Sequence, residues 1–219
     1  MWRITDPEVI EKIKDGTVTL AGLIAAGAIQ LGLASGDLAA NGCPVTGKGC
    51  VNVFAVSIPG VTPSAFINWF QAAAAARNSG KRLPTNAERQ AAALGTPDPG
   101  VSAAGSQDCN TKNGGGVSVD AVVPTGSRSN CVSDVGAFDM VGNVAERVAD
   151  WVPQSTAGPG WGSFSDDFMS LAGASTTAGP GALVRGASFL DGTNAGVFAV
   201  GGNGPVLDAF DNLGFRAAR

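Results

Sequence analysis

The stretch DMVGNVAERVADW, residues 139–151, carries short apolar pieces between two long polar segments. Residues 95–136 before it are dominated by Gly, Pro, Ser, Asp, Asn and Thr, and residues 153–181 after it are again rich in Gly, Ser and Pro. Such compositions predict long loops, where binding residues are often found. Beyond them, the pieces LVRGASFL, AGVFAV and LGFRAAR predict short strands separated by turns.

The overall composition predicts a folded domain and excludes several classes of protein. The 219 residues include 32 Gly and 12 Pro, but no G-X-Y period, which excludes collagen. With 44% hydrophobic and 15% charged residues, wholesale disorder is not expected. His is absent, so a Ser-His-Asp or Cys-His nucleophile and His-dependent metal sites are excluded. The net charge is -4 and Lys and Arg form no run, so we expect neither nucleic acid nor a membrane surface as partner.

Two short helices are predicted by their capping residues. Asp6 followed by Pro7 is typical of an N-cap and first helical position, and Gly16 is expected to end that helix. Thr85 with Glu88 forms the pattern of a capping box for NAERQAAAL.

A longer helix is predicted between these two. Thr62-Pro63 repeats the N-cap pattern and would open PSAFINWFQAAAAARNSG, which Gly80 would end. A strand over residues 50–57 is expected before it. The apolar face of this helix would comprise Phe66, Ile67, Trp69 and Phe70.

The most apolar stretch, residues 17–35, is expected to be a buried helix or helix pair. An acidic helix precedes it, unlike the basic start of a signal peptide, and Gln30 and its Ala and Gly content disfavour a membrane span. We therefore expect one α+β protein with much irregular loop and no membrane insertion. It divides into an N-terminal helical segment, 1–49, packed on a domain, 50–219.

The four cysteines allow two interpretations. Cys43 and Cys50 flank a short Pro/Gly loop, and Cys109 and Cys131 flank a longer Gly/Asn/Ser loop. Two loop-closing disulfides are expected in an oxidising compartment, and four free thiols otherwise.

Five pieces of the chain together resemble one family. The order and composition of these pieces are similar to the formylglycine-generating-enzyme type of C-type lectin fold, from about residue 50 to the end. The pieces are GKRLPTNAE (80–88), DMVGN (139–143), ADW (149–151), VRGAS (184–188) and NLGFRAAR (212–219).

The segment AGVFAV, residues 195–200, narrows the resemblance to the variable proteins of diversity-generating retroelements and related phage tail or surface proteins. In such proteins a reverse transcriptase miscopies template adenines, so that Asn codons of the C-terminal region become mixed. A randomised AAC codon cannot encode Lys, Glu, Gln, Met or Trp. These types occur 21 times in the chain and never after Gly186, where about three would be expected. A small-residue, turn-rich segment could also avoid them.

The resemblance implies a non-enzymatic protein that binds a protein or cell-surface ligand, as a monomer, on a phage tail or a bacterial surface. The variable region would span about 186–219, with Phe198 and Phe215 in the core. Apolar anchors with a polar rim would suit ligand binding, although Phe189, Leu207 and Phe210 could equally be core residues. The expected ligand-binding residues are Phe189, Leu190, Asp191, Thr193, Asn194, Gly201, Asn203, Val206, Leu207, Asp208, Phe210, Asp211 and Asn212.

The alternative implied by the same resemblance is a formylglycine-generating oxidase acting on sulfatase cysteines. That reaction needs two cysteines in the C-terminal segment, where this chain has Ala187, Ala199 and Ala217 among Gly and Asn. The related iron-dependent sulfoxide synthases use His ligands, and this chain contains no His.

The resemblance also implies a possible structural calcium at the DMVGN turn. Asp139 and Glu146 would supply side chains, and Gly142 and Val144 carbonyl oxygens. The alternative is that Asp139 caps backbone groups and Glu146 is an ion-pair residue.

Three positions depart from the family pattern, which commonly has Trp at Ala145, Arg147 and Arg89. The two arginines would then pair with Glu146, with Glu88 or with an aspartate of a loop.

Overall fold

The computed structural model describes residues 1–103, 105–113, 121–153, 166–170 and 179–219. Helices dominate the first half of the chain and strands the second, as expected for an α+β fold. The helices are α1 (Pro7–Asp15), α2 (Leu20–Ala25), α3 (Asp37–Ala40), α4 (Trp69–Asn78) and α5 (Asn86–Ala92). The strands are β1 (Trp2–Arg3), β2 (Ile29–Gln30), β3 (Val53–Phe54), β4 (Val101–Ser102), β5 (Lys112–Asn113), β6 (Ala145–Val152), β7 (Met169–Ser170), β8 (Gly181–Arg185), β9 (Val200–Gly201) and β10 (Leu213–Phe215).

Both short helices begin where their capping residues predict. The Asp6 side chain accepts hydrogen bonds from the backbone N–H groups of Glu8 and Val9, and Gly16 ends α1 in the left-handed conformation at φ 81°. Thr85 and Glu88 form the predicted capping box of α5, each side chain accepting from the other residue's backbone N–H.

The longer helix begins six residues later than predicted, so the Thr62-Pro63 start is wrong. Asn68 is the N-cap of α4, and its side chain and that of Gln71 form a capping box. Phe66 has φ 54°, a conformation that a helix cannot include, and its N–H donates to the carbonyl of Phe210. A hydrogen bond to a residue far away in the sequence therefore determines where this helix begins.

Residues 17–35 are not the buried helix or helix pair that was expected. Within this range only the six-residue helix α2 forms, and Leu23 is its one buried residue. Ile24 is 65% exposed. Among the described residues, no helix combines the length and apolar character needed to cross a membrane.

A small sheet joins the two sides of the proposed boundary at residues 49 and 50. Strand β1 lies between β2 and β3, antiparallel to both, with Trp2 opposite Gln30 and Phe54. Helix α4 packs three of its alanines, Ala72, Ala74 and Ala75, into a buried cluster that also contains Leu31 and Val53. Residues on both sides of this boundary thus contribute to one buried cluster.

The DMVGNVAERVADW stretch forms a turn followed by β6, the longest strand described. In the larger sheet the strand order is β10-β6-β8-β9-β7, with β6 parallel to β10 and antiparallel to β8. The turn has positive φ at Asp139, Gly142 and Asn143. A Cβ at Gly142 would lie 2.2 Å from the carbonyl oxygen of Asn110, so glycine is required there.

Less of the C-terminal segment is strand than the sequence predicts. Of AGVFAV only Val200 enters a strand, and Phe198, expected in the core, is 45% exposed. Phe215 is partly buried against the main core, as expected. Much of the Gly/Ser/Pro-rich stretch 153–181 lies outside the described residues.

Of the two alternatives for the cysteines, the structure has the disulfides, Cys43–Cys50 and Cys109–Cys131. All four sulfur atoms are therefore bonded, and no free thiol is present. Cys109 and Cys131 belong to a separate buried cluster with Val141 and Ala195, which holds the long loop against the DMVGN turn.

Candidate ligand-binding surface

Seven of the thirteen residues predicted to bind a ligand are exposed, and together they define the C-terminal surface. Its largest apolar members are Phe210, Leu207 and Leu190, which are 54%, 52% and 40% exposed. The complete set is Leu190, Thr193, Asn194, Asn203, Leu207, Phe210 and Asp211.

Three of the predicted residues are buried, which corrects the expectation that they face a ligand. Phe189 is 4% exposed because its N–H donates to the Asn143 carbonyl, which draws it against the DMVGN turn. Val206 is 9% exposed, and its carbonyl accepts from the Trp69 N–H. Gly201 is buried in β9, where a Cβ would lie 3.1 Å from a methyl carbon of Val184.

The remaining three, Asp191, Asp208 and Asn212, are half-buried. Asp191 has a structural role, since its carboxylate accepts from the N–H and hydroxyl of Ser188 at 2.7 and 2.6 Å. Burial raises the pKa of Asp208, an effect that the nearby Arg147 opposes.

The residues of this surface belong to two loops, a first loop over residues 189–194 and a second loop over residues 201–212. The two loops meet at a shallow depression of about 150 Å³. Asp191 lines it from the first loop and Asn212 from the second, and the Asn212 amide lies 3.4 Å from the Ser188 hydroxyl. Phe168, which is 43% exposed, lines the same depression. The two loops therefore present one continuous surface rather than two separate ones.

The scaffold holds these loops through their main chain. Four of the hydrogen bonds in this attachment show the pattern, and in each the loop residue contributes only its N–H or carbonyl group. They run from Phe66 N to Phe210 O at 2.8 Å, Trp69 N to Val206 O at 3.1 Å, Ala145 N to Asn212 O at 2.8 Å and Phe189 N to Asn143 O at 2.9 Å. Such bonds do not depend on the side chain at the loop position.

Two buried arginines reinforce this attachment by donating to main-chain carbonyls. Arg147 donates to Ile67 at 3.2 Å and to Asp208, which joins the start of α4 to the second loop. Arg185 donates to Ala199 at 2.8 Å and to Val197 at 3.0 Å. Burial lowers the pKa of each guanidinium group to about 10, so both remain charged at neutral pH.

The exposed rim of this surface is acidic. Residues 186–215 contain Asp191, Asp208 and Asp211 but neither Lys nor Arg. Beyond this segment, carboxylate oxygens of Asp98, Asp166 and Asp167 lie within 4.8 Å of one another. Asp167 also accepts from the Phe198 N–H at 2.7 Å, so this acidic group adjoins the AGVFAV segment.

Three exposed aromatic residues were not predicted from the sequence as surface groups. Phe168 follows a Gly/Ser-rich stretch that gives no periodicity, and Phe198 was placed in the core. Trp151 is 39% exposed at the end of β6, and its ring packs edge-on to Trp69 with centroids 5.0 Å apart. The pairing register between β6 and β8 shifts between Arg147 and Trp151, and this irregularity interrupts the strand alternation that could have indicated the exposure.

The two side chains proposed for calcium, Asp139 and Glu146, have hydrogen-bond partners within the chain. Glu146 is 5% exposed, and each of its carboxylate oxygens contacts an arginine: Oε2 lies 3.1 Å from Arg89 Nε and Oε1 lies 2.8 Å from Arg216 Nη2. Although burial alone would raise it, these cations lower the pKa of Glu146 below its ordinary value. Asp139 accepts from the Gly126 N–H at 2.8 Å. Pairing of Arg89 with Glu146 is confirmed, whereas Arg147 contacts carbonyl groups.

The chain belongs to a known family. The sulfatase-modifying factor enzyme 1-like domain family matches residues 23–219, which confirms the formylglycine-generating-enzyme type of C-type lectin fold. Comparison with curated protein sequences gives no significant match.

Solved structures of the Major Tropism Determinant are similar to part of the chain. The M1 variant has 22% identity and a TM-score of 0.46, over 68% of this chain and 36% of its own. The U1 variant has 21% identity and a TM-score of 0.46, over 69% of this chain and 37% of its own. The chain thus spans little more than a third of the length of these proteins.

Replacing Arg147 by Met is expected to loosen the second loop without removing its exposed side chains. Hydrogen bonds from a charged donor contribute about 1.5–3 kcal/mol, so amide exchange of Phe66 and Trp69 should become at least about tenfold faster. Hydrogen exchange measured by NMR checks this, with the exposed Arg77→Met as control. Unchanged protection of both amides in Arg147→Met would contradict the anchoring role.

Proposed function

We propose that the protein binds a ligand through the C-terminal surface and is not an enzyme. One observation carries this proposal: the loops are fixed through main-chain groups and buried arginines, while seven of their thirteen predicted ligand-binding residues are exposed. A rigid scaffold with exposed loop side chains is the arrangement that recognition proteins use.

The chemistry of the surface favours a protein or cell-surface ligand. Leu207 and Phe210 are large, half-exposed apolar groups that can anchor a partner, and Asp211 with Asn203 can form the polar rim. The role we propose is recognition of a receptor or host surface, by a protein of a phage tail or of a bacterial cell surface.

We further propose that a retroelement diversifies this surface. The absence of Lys, Glu, Gln, Met and Trp after Gly186 agrees with randomised AAC codons. Substitution at such positions is compatible with folding because the loop attachments involve main-chain atoms. The main-chain attachment of the loops and the restricted set of residue types after Gly186 are independent observations, one from the structure and one from the amino-acid sequence.

The oxidase alternative lacks a reactive group in the described chain. A formylglycine-generating oxidase needs cysteine thiols in the C-terminal segment, but the four cysteines here lie before residue 132 and form disulfides. The oxidase reaction therefore has no cysteine thiolate available in this chain.

The proposal predicts that replacing exposed loop residues by Ala lowers the free energy of unfolding less than replacing buried ones. Leu207→Ala and Phe210→Ala should each change the free energy of unfolding by less than about 1 kcal/mol, since both side chains are half in solvent. Phe189→Ala should cost about 3–5 kcal/mol because it leaves a cavity in the core. Denaturant unfolding measures all three. A cost for Phe210→Ala as large as that for Phe189→Ala would show that the surface is not free to vary.

Diversification predicts a specific arrangement of the surrounding genome. Sequencing should reveal a reverse transcriptase gene near this coding region. It should also reveal a near-copy of the last ~100 nucleotides that differs only where the copy has adenine. A locus with neither feature would refute diversification, while the binding role would still be decided by the protein itself.

A further inference from the structure

A cavity of about 210 Å³ lies between the small sheet and the DMVGN turn. Its walls include Trp2 of β1, Val56 just after β3 and Phe215 of β10. Ser57 and Thr62, which also line it, are exposed, so the cavity opens to solvent. A protein cavity of about 150 Å³ admits benzene, so this one has room for a molecule of roughly eight non-hydrogen atoms.

Asp139 places a carboxylate oxygen without a partner on the wall of this cavity. The residue is 7% exposed, and its Oδ2 atom accepts from the Gly126 N–H at 2.8 Å. Among the described residues, no donor lies within hydrogen-bond distance of the buried Oδ1 atom. A buried acceptor without a donor is destabilising, so a donor that enters the cavity gains a strong hydrogen bond there.

Lys81 brings an available positive charge to the same cavity. Its ammonium group is half-buried, and its hydrogen bond to the Ala55 carbonyl is long, at 3.4 Å. Burial, together with the nearby Arg219, lowers the pKa of Lys81. Arg216 also lines the cavity, but it already donates to Glu146 through two nitrogen atoms. Lys81 is therefore the cation better able to bind a further anion.

We propose that this cavity binds a small amino acid, whose ammonium group donates to Asp139 Oδ1 and whose carboxylate accepts from Lys81. The apolar part of the ligand would contact Val56, Ile58 and Phe215. This inference is independent of the proposed binding role of the C-terminal surface, because none of the seven residues of that surface lines the cavity.

The mixture of charges favours a zwitterion over an ion of either sign. A ligand with only a positive charge would be repelled by Lys81 and Arg216, and one with only a negative charge would leave Asp139 Oδ1 without a donor. Burial raises the pKa of Asp139, an effect that the Gly126 N–H and Arg216 oppose. An ammonium group within hydrogen-bond distance would further stabilise the charged carboxylate.

The first test titrates the wild-type chain with small ligands and follows the backbone amides by NMR. The zwitterions are leucine and the longer 5-aminopentanoate, and the controls are 3-methylbutylamine and 4-methylpentanoate, which carry one charge each. At least one zwitterion should shift the amides of Asp139 and Lys81 saturably, with a dissociation constant below about 1 mM, and both controls should bind at least about tenfold more weakly.

Three results of this titration would overturn the proposal. The first is the absence of any shift with either zwitterion at about 20 mM. The second is binding of 3-methylbutylamine or 4-methylpentanoate as tight as that of the zwitterions. The third is saturable shifts of the Asp139 amide with calcium chloride but with neither zwitterion, which would place an inorganic cation at Asp139.

The second test replaces the two charged groups one at a time. Asp139→Asn keeps the shape of a residue at φ 58°, where Asn is well tolerated, and its carbonyl oxygen can still accept from Gly126. Its NH₂ group then offers the cavity a donor instead of an acceptor, so zwitterion binding should weaken at least about tenfold.

Lys81→Met should weaken binding of the zwitterion but not of 3-methylbutylamine, because only the carboxylate loses its partner. Lys48→Met is the matched control, since Lys48 is exposed and does not line the cavity. Undiminished zwitterion binding by either Asp139→Asn or Lys81→Met would overturn the proposal. If Asp139→Asn does not fold, Lys81→Met and the titration of the wild-type chain decide.

Discussion

The hydrogen bonds between scaffold and loop main chain are the constraint on which the C-terminal surface depends. Phe66, Trp69 and Ala145 donate to loop carbonyls, and Phe189 donates back to the scaffold at Asn143. Main-chain pairing of this kind satisfies buried polar groups without specifying a side chain. It explains how a segment with so little regular strand can hold one conformation.

Charged side chains fill interior positions where the family pattern commonly has an aromatic residue. Arg89 and Arg147 stand where the family pattern commonly has Trp, and each is about 1% exposed. An arginine fills comparable volume but also satisfies several carbonyl groups at once, which suits an interior built largely from loops. Each arginine therefore contributes both volume and hydrogen bonds to these loop-rich parts of the interior.

Sequence reasoning succeeded where the deciding contacts are local. The caps of α1 and α5 involve residues two or three positions apart, and the disulfides close loops whose composition already suggested them. The ordered motifs indicated the family fold. Pairing of Arg89 with Glu146 was one of three alternatives left open, and only the packing of α5 against β6 selects it.

Sequence reasoning failed where contacts between residues far apart in the sequence determine the structure. The start of α4 is moved because Phe66 pairs with Phe210, which no local signal shows. Phe198 is exposed and its N–H donates to Asp167, whereas Phe189, next to exposed Leu190, is buried. In a surface built from loops, burial does not follow strand or helix periodicity, so individual site residues could not be sorted in advance.

The central claim is that the loops keep their path whatever side chains they carry. A crystal structure of a variant in which all seven exposed residues of the C-terminal surface are replaced at once tests this most directly. The account predicts that the Cα atoms of residues 186–215 superpose on the wild-type chain within about 1 Å. Loops displaced by more than about 2 Å, or a variant that no longer folds, would contradict it.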